Sequence, residues 1–141
     1  MNITYDDKKK DLPVEQLYHL FFSAGWTGSE STPDPYLLKY FNVPFMNSTL
    51  VISAWDNDRL IGVVRVLSDK VIRSVIYDLV VDPEYQNRGI AKELIRRCIE
   101  HFPDTEWLVQ TEAHIAGFYE KMGFKVYDKV VLTIPSKYQQ A

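Results

Sequence analysis

A regular spacing of apolar residues predicts a long amphipathic helix that begins at Ile90. Apolar side chains recur there every three or four positions, which places them on one face of an α-helix. These positions are Ile90, Ala91, Leu94, Ile95, Cys98, Ile99 and Phe102. On the opposite face Glu93 stands four residues before Arg97, which is the favourable order for a helical ion pair.

A strand and a tight turn precede this helix. Residues 74–81 are rich in β-branched and aromatic side chains, a composition typical of a mostly buried strand. Pro83 ends the strand because it lacks the N–H that a sheet ladder needs. The sequence therefore predicts a strand that runs through a short turn into the N-terminus of the long helix.

The rest of the chain alternates between strand and helix patterns. We expect strands at residues 2–5, 49–55, 59–67, 106–111 and 130–134, a helix opened by Pro13, a short helix at 36–41, a break at Pro44 and Asn47, and a helix from 112 to 122 closed by Gly123. The turn at 56–58 favours a hairpin. A strand on each side of the long helix favours a parallel pair joined by a right-handed crossover.

Composition limits the class of protein. The 141 residues suffice for one domain, and 46% apolar with 25% charged residues is ordinary for a globular protein. A net charge of −3 argues against nucleic-acid binding, and no apolar run is long enough to span a membrane. The single cysteine favours a reducing, cytoplasmic location, and no residues have metal-ligand spacing.

The junction between strand and helix is the candidate anion site. The first N–H groups of a helix have no partner within the helix, and the helix dipole makes that end positive. Gly89 would let a ligand approach this backbone closely, and Gln86 and Arg88 add side-chain donors. These physical arguments alone leave open an ordinary strand–helix turn that contains one glycine.

Two motifs make a family resemblance specific. The run Gln86-Asn87-Arg88-Gly89-Ile90-Ala91 resembles the Gln/Arg-x-x-Gly-x-Gly/Ala loop of the GNAT N-acetyltransferase superfamily. Downstream, the run Phe118-Tyr119-Glu120-Lys121-Met122-Gly123-Phe124 resembles the Phe-Tyr-x-Lys-x-Gly-Phe signature of the same superfamily. The resemblance covers about residues 50–134.

This resemblance implies a fold and a cofactor. It implies a single GNAT domain over residues 1–141, of the α+β class, with a mixed and mostly antiparallel twisted sheet of about six or seven strands flanked by about four helices. Acetyl-CoA would be the co-substrate, without a metal, and a homodimer is left open. The backbone of Leu79, Val80 and Val81 would hydrogen-bond the pantetheine arm. Residues Gln86, Asn87, Arg88, Gly89, Ile90 and Ala91 would bind the pyrophosphate.

The resemblance also implies catalytic roles. The family's general acid, which protonates the departing thiolate, corresponds to Tyr119, and a phenol is protonated at pH 7. Asp78 is our candidate base, because it is a carboxylate in an otherwise apolar strand beside the thioester segment. Glu30, Glu112, His114 or a water relay remain open for that role.

The sequence also offers candidate residues for the site of the acceptor amine. We expect Trp26, Glu30 and Tyr36 to contribute to an acceptor pocket, which would favour a small primary amine that attacks the thioester directly. A protein or peptide acceptor is the alternative within the fold, and a non-catalytic acyl-CoA sensor is the alternative outside enzymes. Residues 112–114 depart from the Asn that many relatives have at the head of this helix, and this weakens any transfer of substrate identity.

Overall fold

The structure is a computed structural model that describes residues 1–26 and 34–137. Contacts divide the chain into two compact units, the first ending at Gln110 and the second beginning at Thr111. Each unit is described by itself. The expectation of a single domain over residues 1–141 stays a prediction.

The first unit is built on a mixed sheet whose strands lie in sequence order. The strands are β1 (Ile3–Asp6), β2 (Leu50–Asp56), β3 (Arg59–Ser68), β4 (Arg73–Val81) and β5 (Glu106–Val109). The pairs β1–β2, β2–β3 and β3–β4 are antiparallel, and β4–β5 is parallel. The predicted α+β class, hairpin and parallel crossover pair are therefore confirmed.

Five α-helices and two 3₁₀ turns accompany these strands in the described chain. They are α1 (Val14–Ser23), α2 (Pro35–Lys39), α3 (Val43–Met46), α4 (Ile90–His101) and α5 (Ala116–Glu120), with 3₁₀ turns at Pro83–Tyr85 and Ala113–Ile115. The long helix begins where the apolar spacing predicts. The sequence analysis missed α3, because Pro44 indicates a break and yet fits the first turn of a helix.

The C-terminal part differs from the expected elements. The helix expected from 112 to 122 is shorter, because its first turn is a 3₁₀ turn and its last residues form turns. The strand expected at 130–134 is absent, so the described sheet has five strands rather than six or seven. β-branched residues favour an extended backbone, but a strand also needs a neighbour, and residues 125–135 have no ladder partner in the described chain.

One face of the sheet is covered by α1. Leu17, Leu20 and Phe21 of this helix are buried, and they form one apolar cluster with Val51 and Val63 of the central strands. These valines lie opposite the residues that α4 contacts, because alternate strand residues face opposite sides of a sheet. The sheet is therefore sandwiched between α1 and α4.

Helix α4 packs closely against the other face of the sheet. A Cβ placed on Gly62 of β3 would lie 3.4 Å from Cγ2 of Ile90 and 3.5 Å from Cδ1 of Leu94. Any larger side chain at this position would press on the first turn of the helix. Gly62 therefore sets how closely the N-terminus of α4 approaches the sheet.

No helix in the described part of the chain is long and apolar enough to cross a membrane.

Cys98 should be unreactive in the folded protein. It is a fully buried residue of α4, and this burial raises the pKa of its thiol to about 12. Because the thiolate is the reactive form, we expect a water-soluble thiol reagent at pH 8 to label no cysteine in the native protein.

In denaturant, one equivalent of the reagent should react with each protein chain. A Val71→Cys variant is the control, since Val71 is 73% exposed and its replacement should react at once. Equal native rates for Cys98 and the control would contradict the buried position.

Candidate active site

The site begins where strand β4 loses its second neighbour. The parallel ladder with β5 ends at the pair Ile76↔Val109, but β4 continues to Val81. Within the described residues, no strand pairs with this edge of β4 beyond Ile76. The backbone groups on that edge are available to a ligand, because a lone strand edge presents unpaired N–H and C=O groups.

A β-bulge marks the same point on the other side of the strand. Arg65 pairs with Asp78 and Val66 pairs with Ile76, so Tyr77 is an extra residue on β4. An extra residue bends the strand and increases its local twist. The bulge lies beside the end of the β5 ladder, so the pairing of β4 changes on both of its edges at the same point.

The open edge leads directly to a helix N-terminus. After the 3₁₀ turn, Gly89 adopts a φ of +80° and precedes the first residue of α4. The N–H groups of Ile90, Ala91 and Lys92 find no acceptor among the described residues, and no side chain caps the helix. A Cβ on Gly89 would meet nothing within 4 Å, so the space beside this helix end is open. The geometry is that of an anion site.

Side chains of the loop partly turn back on the protein. Nε2 of Gln86 donates to the carbonyl of Val81 at 3.3 Å. The guanidinium of Arg88 lies 5.7 Å from the ring centre of Tyr85. Arg88 is exposed, and its charge lies beside the helix N-terminus, where it adds to the attraction for an anion.

The loop is anchored to the β2–β3 hairpin by four residues that the sequence analysis missed. Nη2 of Arg59 donates to Oδ2 of the buried Asp82 at 2.9 Å, and Oδ1 of Asp82 accepts from the N–H of Glu84. The hydroxyl of Tyr85 donates to Oδ2 of Asp56 at 2.7 Å. Asp82 followed by Pro83 is a sequence signal for a capped turn, whereas the contacts with the hairpin depend on long-range pairing.

The Asp56–Tyr85 hydrogen bond shifts both pKa values in the expected directions. The hydrogen bond from the phenol lowers the pKa of Asp56, and donating that bond to a carboxylate raises the pKa of Tyr85. Both shifts have the same cause: the hydrogen bond is made only while Asp56 is ionised and Tyr85 is protonated, so it stabilises these two forms.

Asp78 is held in an ion pair. Its Oδ2 accepts from Nε of Arg65 at 2.5 Å, and both side chains are about one-fifth exposed. The guanidinium of Arg65 also lies 5.8 Å from the ring centre of Phe45 and 5.4 Å from that of Tyr77. A role as base would require Asp78 to act while bound to this cation, so its role as base stays a prediction.

Tyr119 lies in α5 of the second unit and is only 6% exposed. Its ring packs edge-on against Phe118 and Phe124, with ring centres 5.0 Å and 5.4 Å away. Burial raises the pKa of its hydroxyl, so the phenol is protonated at neutral pH. The hydroxyl has no hydrogen-bond partner among the described residues, and it is free to donate to a ligand.

The residues expected at the acceptor pocket have different surroundings. Trp26 is 53% exposed and packs edge-on against Phe21, while Tyr36 is 61% exposed and lies 4.7 Å from the ring centre of Tyr40. Glu30 lies outside the described residues. No group of three or more His, Cys, Asp or Glu in the described ranges is arranged to hold a metal ion.

Comparison with known proteins decides the family. The family described as Acetyltransferase (GNAT) domain matches residues 37–132. The chain belongs to the GNAT acetyltransferase family. The match spans the sheet from β2, the anion loop and the Phe-Tyr motif, so the resemblance stated from the two motifs is confirmed.

Several GNAT relatives are similar in sequence or structure. The chain is 28% identical over 127 residues to the protein described as uncharacterized N-acetyltransferase ycf52 of Pyropia yezoensis, covering 85% of this chain and 69% of the relative. A GNAT family acetyltransferase of Streptococcus pneumoniae TIGR4 is 25% identical with a TM-score of 0.77, covering 96% of this chain and 99% of that chain. A putative acetyltransferase of Deinococcus radiodurans R1 has the same fold, with a TM-score of 0.73 at 21% identity and coverages of 96% and 89%.

The anchoring of the loop predicts a pH-dependent loss of stability in Tyr85→Phe. The folded pKa of Asp56 is lowered from 3.8, so the bond contributes above that pH and is lost as the pH falls through the folded value. The folded pKa of Tyr85 is raised from 10.0, so the contribution lasts below pH 10 and is lost as the pH rises through the folded value. Denaturant unfolding should therefore show a deficit that is full between about pH 5 and pH 9 and shrinks outside this range.

Tyr77→Phe is the matched control for this experiment. Tyr77 is 53% exposed, and its hydroxyl has no hydrogen-bond partner in the described chain. This variant should unfold with the same pH dependence as the wild type. A deficit in Tyr85→Phe that does not change between pH 3 and pH 7 would show that the bond to Asp56 contributes nothing.

Proposed function

We propose that this protein binds acetyl-CoA and transfers the acetyl group to the amino nitrogen of a small molecule. One observation supports this proposal most directly. The open edge of β4 is followed in the chain by a helix N-terminus whose N–H groups beyond Gly89 are unpaired. GNAT acetyltransferases use acetyl-CoA, whose long arm and pyrophosphate need a strand edge and an anion site in succession.

The residues present fit this co-substrate. Backbone groups of Leu79, Val80 and Val81 would hydrogen-bond the pantetheine arm as an added strand would. The N–H groups from Gly89 to Ala91, with Asn87 and the donors of Gln86 and Arg88, would hold the pyrophosphate. The open space beside Gly89 supports this fit, because a side chain there would occupy the approach to the helix end. Bound acetyl-CoA supplies an acyl group activated as a thioester.

Two side chains have proposed roles in proton transfer. Tyr119 would hold the proton that the departing sulfur takes up, and its raised pKa keeps that proton in place at neutral pH. Asp78 would accept the proton of the amine, directly or through water, with Arg65 fixing the position of its carboxylate. Glu112 and His114 are exposed at the start of the second 3₁₀ turn and remain alternatives to Asp78.

The proposed acceptor follows from exposed aromatic side chains and from the names of relatives. Trp26 and Tyr36 present exposed aromatic rings, a surface suited to an aryl- or alkylamine. Proteins of this fold include an aminoglycoside acetyltransferase from a soil metagenome, 22% identical with a TM-score of 0.68. Another relative, 32% identical over half of this chain, is named a histone acetyltransferase in Glycine max. A small amine is our proposal, and a protein amine is the alternative. We further propose a cytoplasmic homodimer.

Calorimetric titration with acetyl-CoA, followed by a thiol-release assay, tests the function. We expect binding by the wild type and release of thiol with a small amine, but not with a lysine-containing peptide. Release of thiol only with the peptide would overturn the small-amine acceptor and indicate a protein acceptor instead. Binding with no release on any amine would favour an acyl-CoA sensor and overturn the enzymatic proposal.

Gly89→Glu should abolish binding of acetyl-CoA in the same titration. The new carboxylate would fill the open space beside the helix N-terminus and repel the pyrophosphate. Gly25→Glu is the matched control, because Gly25 has a φ of +84° and equally open surroundings and so introduces the same charge and similar backbone strain elsewhere. Normal affinity in Gly89→Glu, or equal losses in both variants, would overturn the assignment of the loop.

Tyr119→Phe should bind acetyl-CoA normally and turn over about 100-fold more slowly. The ring contacts with Phe118 and Phe124 are retained, and no described hydrogen bond is lost, so the fold should be unaffected. Because burial raises the pKa of Tyr119, any loss of wild-type activity due to its deprotonation should occur above about pH 10.

Tyr18→Phe, which removes a hydroxyl from a similar edge-on aromatic pair, is the control. Equal rates in Tyr119→Phe and wild type at all pH values would exclude the acid role.

A further inference from the structure

Arg88 differs from the other arginines of the described chain, because no carboxylate in the described residues neutralises it. Its contacts there are with two neutral groups. Nη1 donates to Sδ of Met1 at 3.1 Å, and the guanidinium lies 5.7 Å from the ring centre of Tyr85. The remaining arginines each form an ion pair with an aspartate or a glutamate; they are Arg59, Arg65, Arg73, Arg96 and Arg97. The positive charge of Arg88 therefore stays available beside the N-terminus of α4.

Two carboxylates precede Arg88 in the same loop, but both are bound to Arg59. Nη2 of Arg59 lies 2.9 Å from Oδ2 of Asp82, and its Nη1 lies 3.4 Å from Oε2 of Glu84. Exposed ion pairs contribute little to stability by themselves. Here they occupy two acids that could otherwise neutralise Arg88, so Arg59 helps to keep that charge free for an anion.

The ring of Tyr85 is a firm support for the guanidinium. Tyr85 is only 9% exposed and is the last residue of the 3₁₀ turn, and its hydroxyl donates to Oδ2 of Asp56 at 2.7 Å. The ring is therefore held at both ends, by its own backbone and by the β2–β3 hairpin. An aromatic ring attracts a guanidinium through its quadrupole and brings no negative charge. A cation held in this way keeps its charge for a further ligand.

We propose that Tyr85 is a positioning residue whose ring holds the guanidinium of Arg88 in place for the pyrophosphate of acetyl-CoA. This inference rests on the function proposed above. It assigns two separate roles to one side chain: the hydroxyl stabilises the fold through Asp56, and the ring orients Arg88. Ordering a long side chain during binding costs conformational entropy, and an arginine that is already in position avoids that cost.

Two variants that both lack the hydroxyl isolate the ring. Tyr85→Phe keeps the ring and Tyr85→Leu removes it, so both lose the bond to Asp56 but only the second loses the support for Arg88. Calorimetry should give a dissociation constant for acetyl-CoA about two- to fivefold higher in Tyr85→Leu than in Tyr85→Phe, the size expected for an exposed cation–π contact. Equal affinities in the two variants, with binding by the wild type, would overturn this inference alone.

The same pair of variants in an Arg88→Gln background distinguishes positioning from packing. The ring also lies 5.3 Å from the guanidinium of Arg59, and Tyr85→Leu removes this contact as well. Without a cation at position 88, the Phe and Leu variants should bind acetyl-CoA equally. A ring that only packs the loop or holds Arg59 would give the same ratio of dissociation constants in both backgrounds, and this result would contradict the positioning role.

A measurement without ligand separates this inference from the proposed function. A ring beside the guanidinium shields the δ-methylene protons of Arg88, so NMR should find them upfield in the wild type and in Tyr85→Phe. They should move downfield in Tyr85→Leu, whereas those of Arg73, whose side chain is 70% exposed, should not move. Equal Arg88 shifts in all three proteins would overturn the arrangement even if acetyl-CoA binds. A wild type that shows the upfield shift but binds no acetyl-CoA would instead overturn the proposed function and the role in binding with it.

Discussion

The end of the β4–β5 ladder is the constraint on which the rest of the site depends. Buried backbone groups must be hydrogen-bonded, so a strand that loses its neighbour in the interior of a sheet needs another partner. The ladder with β5 ends at Ile76, beside the bulge at Tyr77, and β4 then has an open edge as far as Val81. An extended ligand arm can take the place of the missing strand along this open edge.

The second requirement is that the helix N-terminus lies at the end of this open edge and holds its position. Two arrangements achieve this. Gly62 lets the first turn of α4 lie against β3, and Arg59 with Asp82 attaches the preceding turn to the β2–β3 hairpin. The anion loop itself therefore needs no capping side chain. A cap at Gly89 would in fact compete with a ligand for the same N–H groups.

Local patterns were sufficient for most of the fold because its elements follow one another in space as they do in sequence. The period of the apolar residues identified α4, and the turn at 56–58 identified the hairpin. Two short motifs identified the family and the loop. The anchors Asp56, Arg59 and Tyr85 could not be found this way, since their roles come from contacts across 23 to 29 positions of the chain. The Arg65–Asp78 pair has the same origin: the sequence marks a carboxylate in an apolar strand but not the cation that faces it.

Residues 125–134 show where local reasoning stops. Residues 130–134 have the composition of a strand, yet the structure assigns them neither helix nor strand. Whether such a segment becomes a strand depends on an edge elsewhere, and the described chain offers it no ladder partner. Leaving so many apolar side chains in water is unfavourable by roughly 25 cal/mol for each Å². Composition thus sets the preference of a segment, whereas its pairing depends on a partner strand that the local sequence does not specify.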